Sequence, residues 1–83
     1  MLNLPPLNSL RVFEACARIG NFSRAADELG LSQSAVSRQI QLLESRLNLQ
    51  LFRRKGRSIH LSQEGQDYQR VVSRALAMIA AET

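Results

Sequence analysis

The stretch Ser32-Gln33-Ser34-Ala35-Val36-Ser37-Arg38-Gln39-Ile40-Gln41-Leu42-Leu43-Glu44-Ser45-Arg46-Leu47 decides the fold. Val36, Ile40, Leu43 and Leu47 recur at spacings of four, three and four, which puts them on one buried face of a helix. Ser32 carries the side-chain oxygen that caps such a helix. The opposite face shows Gln33, Ser34, Ser37, Arg38 and Gln41: amides, hydroxyls, one guanidinium and no acid. A helix that merely meets water usually mixes Glu with Lys, whereas here the single acid, Glu44, comes a turn later. These are the groups that read base edges: Gln bonds adenine bidentately, Arg bonds guanine, and Ser bonds base or phosphate. The free N–H groups and the positive dipole end at the start of the helix suit a phosphate.

Upstream, the pattern predicts two further helices. Pro5 and Pro6 set an extended lead-in, and Leu7, Leu10, Phe13, Cys16 and Ala17 fall on one helical face, with Val12 beside them. Asn8 or a neighbour is expected to cap this first helix and Gly20 to stop it. Asn21-Phe22 reads as a connector, Ser23 as the cap of a second helix over 24–29, and Gly30 as its end. The small pair Ala25-Ala26 lets that helix pack closely on the third. Two helices joined around a glycine make a helix-turn-helix.

Downstream of Asn48 the period shortens. Leu49, Leu51, Ile59 and Leu61 alternate about Arg53-Arg54-Lys55-Gly56-Arg57, which predicts a hairpin with those four apolar residues on the core and Phe52 covering its edge. The four cations at its tip can reach phosphates or the minor groove. Ser62 then caps a longer helix with an apolar stripe of Tyr68, Val72, Ala75 and Ile79, flanked by Val71 and Leu76. That stripe exceeds what a domain of about sixty residues covers. Two copies packed side by side would bury it; folding back on its own domain is the other solution. The fold class is therefore mainly α with a small β-hairpin: a winged helix-turn-helix over residues 1–62, then a linker helix over 63–83.

Charge supports the same surface. The chain of 83 residues carries a net charge of +4. Between Arg38 and Arg57, six cations face Glu44 alone, so the basic excess sits in this window and the remainder is slightly acidic. A concentrated cationic patch on a small domain marks a polyanionic partner. A hydrophobic share of 45% argues against disorder. No apolar run approaches the roughly 20 residues that span a bilayer, and the N-terminus lacks a secretory pattern, so a cytoplasmic location is expected. The single Cys16 excludes an internal disulfide and reads as core, because no base stands near it in the pattern. His60 has no second ligand nearby and reads as an exposed polar position or a phosphate neighbour; no metal and no cofactor are expected.

As a set, these residues resemble the N-terminal DNA-binding region of LysR-type transcriptional regulators. The likeness is carried by Pro6-Leu7-Asn8-Ser9-Leu10-Arg11-Val12-Phe13-Glu14-Ala15, by Asn21-Phe22-Ser23-Arg24-Ala25-Ala26 with Leu29, and by 31–40 with Leu43-Glu44. Leu49-Gln50-Leu51-Phe52-Arg53-Arg54, Arg57 and Leu61-Ser62-Gln63-Glu64-Gly65 complete it. The match covers nearly the whole chain. The Pro-Leu-Asn opening is similar to the branch holding the glycine-cleavage activator and the β-lactamase regulator.

The resemblance implies base reading by Gln33, Ser34, Ser37 and Arg38, a phosphate contact at Ser23, phosphate contacts at Arg53 and Arg54, and a groove contact at Arg57. It further implies an interrupted palindromic operator, often with T and A at its flanks, and a homodimer paired through the linker helix. It also implies an effector-binding domain of two α/β lobes beyond residue 83, where a small molecule would act, so this sequence is expected to be a piece of a longer protein. Rival classes fit less well. A winged helix that binds only protein leaves 53–57 without a use. An RNA binder would need aromatic residues on the contact face, where there are none. An enzyme would need a metal cluster, paired acids or a nucleophile beside the histidine, and the sequence shows none of these.

Overall fold

The computed structural model describes residues 2–56 and 58–83. Among them the chain forms α1 (Leu7–Ile19), α2 (Phe22–Leu29), α3 (Gln33–Leu47), β1 (Phe52–Lys55), β2 (Ser58–Leu61) and α4 (Gln63–Ala81). This is the expected winged helix-turn-helix with a long final helix.

The helix boundaries follow from local chemistry, with two corrections. α1 begins directly after Pro6, whose carbonyl accepts from the N–H groups of Ser9 and Leu10, and no side chain caps it. Asn8 lies inside the first turn and is not the cap. α2 starts two residues earlier than the pattern predicts. Asn21, in extended conformation, accepts from the Arg24 N–H at 2.9 Å, so Asn21 is the cap and Ser23 is the second helical residue. Asn and Ser are near-equal caps, and only the backbone path chooses between them. Ser32 caps α3 as expected, accepting from the Ala35 N–H at 3.1 Å.

The end of α3 displaces the expected hairpin. Asn48 takes a left-handed conformation at φ 55°, which Asn tolerates better than most residues. The Asn48 and Leu49 N–H groups then return to the Ser45 and Glu44 carbonyls, a helix-ending motif. Leu49 therefore belongs to that motif, is 40% exposed, and does not join the core. Leu51 is buried as expected, Phe52 is buried as well instead of only covering the edge, and Leu61 is half-buried. Strands β1 and β2 pair antiparallel with Phe52 opposite Leu61, Arg53 opposite His60, Arg54 opposite Ile59 and Lys55 opposite Ser58.

The core joins Val12, Phe13 and Cys16 of α1 to Ala25 and Ala26 of α2 and to Val36, Ile40 and Leu43 of α3. Leu51, Phe52 and Ile59 close it from the hairpin, and Val72 from α4. Its aromatic residues form a continuous chain. Tyr68 packs on Phe13 with centroids 5.4 Å apart, Phe13 on Phe52 at 5.5 Å, and Phe52 edge-on to Phe22 at 5.6 Å. The buried Ser9 hydroxyl donates to Gln39 Oε1 at 2.7 Å, tying α1 to α3. On the far surface, Arg18 bridges Glu14 and Glu28 and so links α1 to α2.

Cys16 is fully buried among these apolar groups, and burial pushes its thiol up to about 12 from an ordinary 9.0. The unfolded chain thus ionises first. Any stability tied to this thiol is complete below pH 9 and declines as pH rises from there toward 12. A disulfide reagent at pH 8 is expected to label Cys16 only as fast as the domain opens. Immediate labelling of the native protein would show that the thiol reaches solvent.

Candidate nucleic-acid interface

Packing Val36, Ile40 and Leu43 inward turns the opposite face of α3 to solvent. Gln33, Ser34, Arg38 and Gln41 are exposed and Ser37 is half-buried, and all five line one shallow hollow along the helix. The five residues singled out from the pattern thus form one continuous surface.

A second concavity, of about 550 Å³, joins that surface to the wing. Its walls come from three elements: Asn21, Phe22, Ser23 and Arg24 of the α2 entry, Gln33 at the start of α3, and Arg54, Gly56, Ser58 and Ile59 of the hairpin. The wing therefore stands beside the outer face of α3 and does not point away from it. The N-termini of α2 and α3 open beside this groove, and neither has an acid in its first turn; of the other two helices, α4 has Glu64 there and α1 has none. Uncompensated N-termini keep their positive ends for an anion.

The hairpin register separates the cations. Side chains alternate across a strand. Arg54, opposite Ile59 and two residues from Phe52, takes the inner face. Arg53 and Lys55 take the outer one with His60, and all three are exposed; Ser58, opposite Lys55 at the hairpin end, also lines the groove. Arg53 and Arg54 are thus not equivalent, although the sequence reading gave them one role. The Arg54 guanidinium carbon lies 5.1 Å from the centroid of the Phe22 ring. Arg57, the expected groove contact, lies outside the described residues.

Arg46 is a further correction to the charge patch. Its guanidinium donates to Asn3 Oδ1 at 2.9 Å and to the Leu4 carbonyl at 2.8 Å, so it anchors the N-terminal lead-in. Glu44, which the pattern left unassigned, holds the wing root. Its carboxylate accepts from the Leu51 N–H at 2.7 Å and the Phe52 N–H at 3.2 Å, across the junction between α3 and β1. Backbone groups at such a junction have no ladder partner and need one.

Sequence reasoning also missed Asn21, Arg24 and Ser58, all of which line the groove. Arg24 had a usable signal, since a cation in the first turn of a helix opposes the dipole, and broken local rules concentrate at functional sites.

α4 divides the stripe expected to bind a second chain. Val72 is 4% exposed and belongs to its own core, with Tyr68 and Leu76 packed against that core. The expectation that Val72 faces a partner is corrected accordingly, because one side of α4 must first cover Phe13 and its neighbours; Tyr68 and Leu76 are partly covered by the same core. Val71 at 63% and Met78 at 71% remain exposed, as do Ala75 and Ile79. Met78, unmarked in the sequence reading, completes the spacing of Val71 and Ala75 on the outward side. No helix among the described residues is long and apolar enough to cross a membrane.

Comparison with known proteins agrees with this geometry. The chain is 60% identical over 65 residues to the glycine cleavage system transcriptional activator of Escherichia coli (strain K12), covering 78% of this chain and 21% of that protein. It is 47% identical over 74 residues to the HTH-type transcriptional activator AmpR of Citrobacter koseri, covering 89% of this chain and 26% of that one. The chain thus spans about a fifth to a quarter of these curated relatives. The fold is similar to the crystal structure of the CbnR_DBD-DNA complex, with a TM-score of 0.87, 32% identity, and coverage of 94% of this chain and 90% of that one. The model of the bacterial regulatory helix-turn-helix proteins of the lysR family matches residues 7–66, and the chain belongs to that family.

Proposed function

We propose that this chain binds double-stranded DNA sequence-specifically, as the reading head of a transcription regulator. The observation that carries the reading is the shared groove: Gln33 at the start of α3, Ser23 on α2 and Arg54 on the wing line one concavity. In that arrangement α3 enters the major groove with Gln33, Ser34, Ser37, Arg38 and Gln41 toward the bases. The wing runs along the backbone or into the adjacent minor groove. Arg53 and Lys55 neutralise phosphates, and affinity falls with salt by about 0.9 log units per contacted phosphate. The similarity to a DNA-bound domain and to two transcriptional activators supports this assignment.

One domain reaches few base pairs, so a homodimer reading two half-sites follows. The outward side of α4, with Val71, Ala75 and Met78 and with the exposed Ile79 at its edge toward α1, is the surface for the second copy. Residues 1–62 form the DNA-binding unit and 63–83 the linker. In the longer protein a small-molecule effector would act through a following domain, and its location would be the cytoplasm, on the chromosome when bound. Met78→Asp and Val71→Asp together are expected to yield a monomer in sedimentation experiments while leaving the fold intact. An unchanged dimer would place the interface elsewhere.

Selection of preferred sites from random duplex DNA tests the whole reading. The expected product is an interrupted palindrome with T and A at its flanks. Absence of enrichment over input, with the protein folded, would favour a winged helix that binds protein.

A further inference from the structure

We propose that Phe22 is a positioning residue for Arg54: its ring face holds the guanidinium in the mouth between wing and recognition helix, and DNA affinity depends on that face. The inference rests on the DNA-binding reading above.

Three observations carry it. First, the guanidinium carbon of Arg54 stands 5.1 Å from the Phe22 centroid, inside the range of a cation–π contact. Second, the ring is held in place. Phe22 is 7% exposed and forms a T-shaped pair with Phe52 at an interplanar angle of 83°, so the ring is packed on the core side. Third, Arg54 makes no ion pair among the described residues. Glu44 lines the same mouth, with Ser37, Gln41 and Gln50; its Oε2 accepts from the Leu51 and Phe52 N–H groups, and no ion pair joins it to Arg54 among the described residues. The ring is thus the fixed partner that sets the pose.

The ring occupies one side of the guanidinium, and the N–H groups turned away from it can donate to a phosphate or a base. A long side chain held this way loses less conformational freedom on binding than one that waves in solvent. Among the described residues, Arg53 and Lys55, on the outer face, have no ring beneath them. The inner-face arginine is therefore the wing cation with a defined direction, and α2 supplies that direction.

Replacing Phe22 by phenylalanines bearing one, two and three ring fluorines withdraws π-density at nearly constant shape. Affinity for the selected duplex is expected to fall stepwise, by roughly two- to fivefold across the series, read at a temperature where circular dichroism shows every member folded. In an Arg54→Gln background the same series is expected to be flat. A flat series in the parent chain, with the duplex tightly bound, overturns this inference and leaves the DNA-binding reading intact. An equally steep series in the Arg54→Gln background also overturns it, by assigning the ring a purely structural role. Failure of the parent to bind any duplex removes both.

Discussion

Gly65→Ala is expected to lower the melting temperature by roughly 10–20 °C, from a loss of about 2–3 kcal/mol. Gly65 is buried in the first turn of α4, where that helix crosses the segment leading into β1. A Cβ there would stand 2.1 Å from the Leu51 carbonyl oxygen and 3.0 Å from Leu61 Cδ2. Real carbon–oxygen contacts are never so short, and the obstacle is backbone, which no rotamer change can clear.

That backbone is also committed. The Leu51 carbonyl accepts from the Ser62 N–H at 2.9 Å, and the Leu51 N–H is held by Glu44. The Ser62 hydroxyl accepts from the Gly65 N–H at 3.0 Å and donates to the Gln50 carbonyl. Moving either side breaks bonds among buried groups, which cost more to leave unmade than they contribute when formed. A thermal melt followed by circular dichroism checks this. An unchanged midpoint would mean that α4 lies farther from the wing root than the structure places it.

Arg38→Ala is expected to weaken binding to the selected operator by roughly five- to 150-fold, the equivalent of about 1–3 kcal/mol for one bidentate base contact. Binding to random duplex should weaken far less. Arg38 is exposed on the outer face of α3, in the same hollow as Gln33, Ser34 and Gln41. It makes no ion pair among the described residues, so its removal disturbs no internal bond and stability should hold. Gln33→Ala should behave similarly at the position that joins the helix face to the groove of the wing. Fluorescence titrations with specific and scrambled duplexes separate the outcomes. Equal losses on both would make α3 a phosphate-binding element and transfer sequence reading to the wing.

The helices and the face of α3 were readable because their causes are local. Val36, Ile40 and Leu43 lie within one helix, and a period of 3.6 residues sorts them from Gln33 and Arg38 without reference to any other segment. Ser32 and Ser62 cap the helices that immediately follow them. Where two local solutions were nearly equal in energy, as with Asn21 and Ser23, the pattern chose the wrong one. Leu49 failed for a related reason, because an apolar residue beside a left-handed Asn can end a helix as readily as begin a strand.

Length, periodicity, capping chemistry and the clustered cations thus sufficed for the winged helix-turn-helix and for the residues that face outward on α3, since each depends on neighbours along the chain. The opposite faces of Arg53 and Arg54, the grip of Glu44 on the wing root, the approach of the Arg54 guanidinium to the Phe22 ring and the split of α4 into a buried and an open side arise otherwise. Each depends on which distant segments meet and in what register, and that is settled by how the whole core packs around Phe13, Leu51 and Phe52.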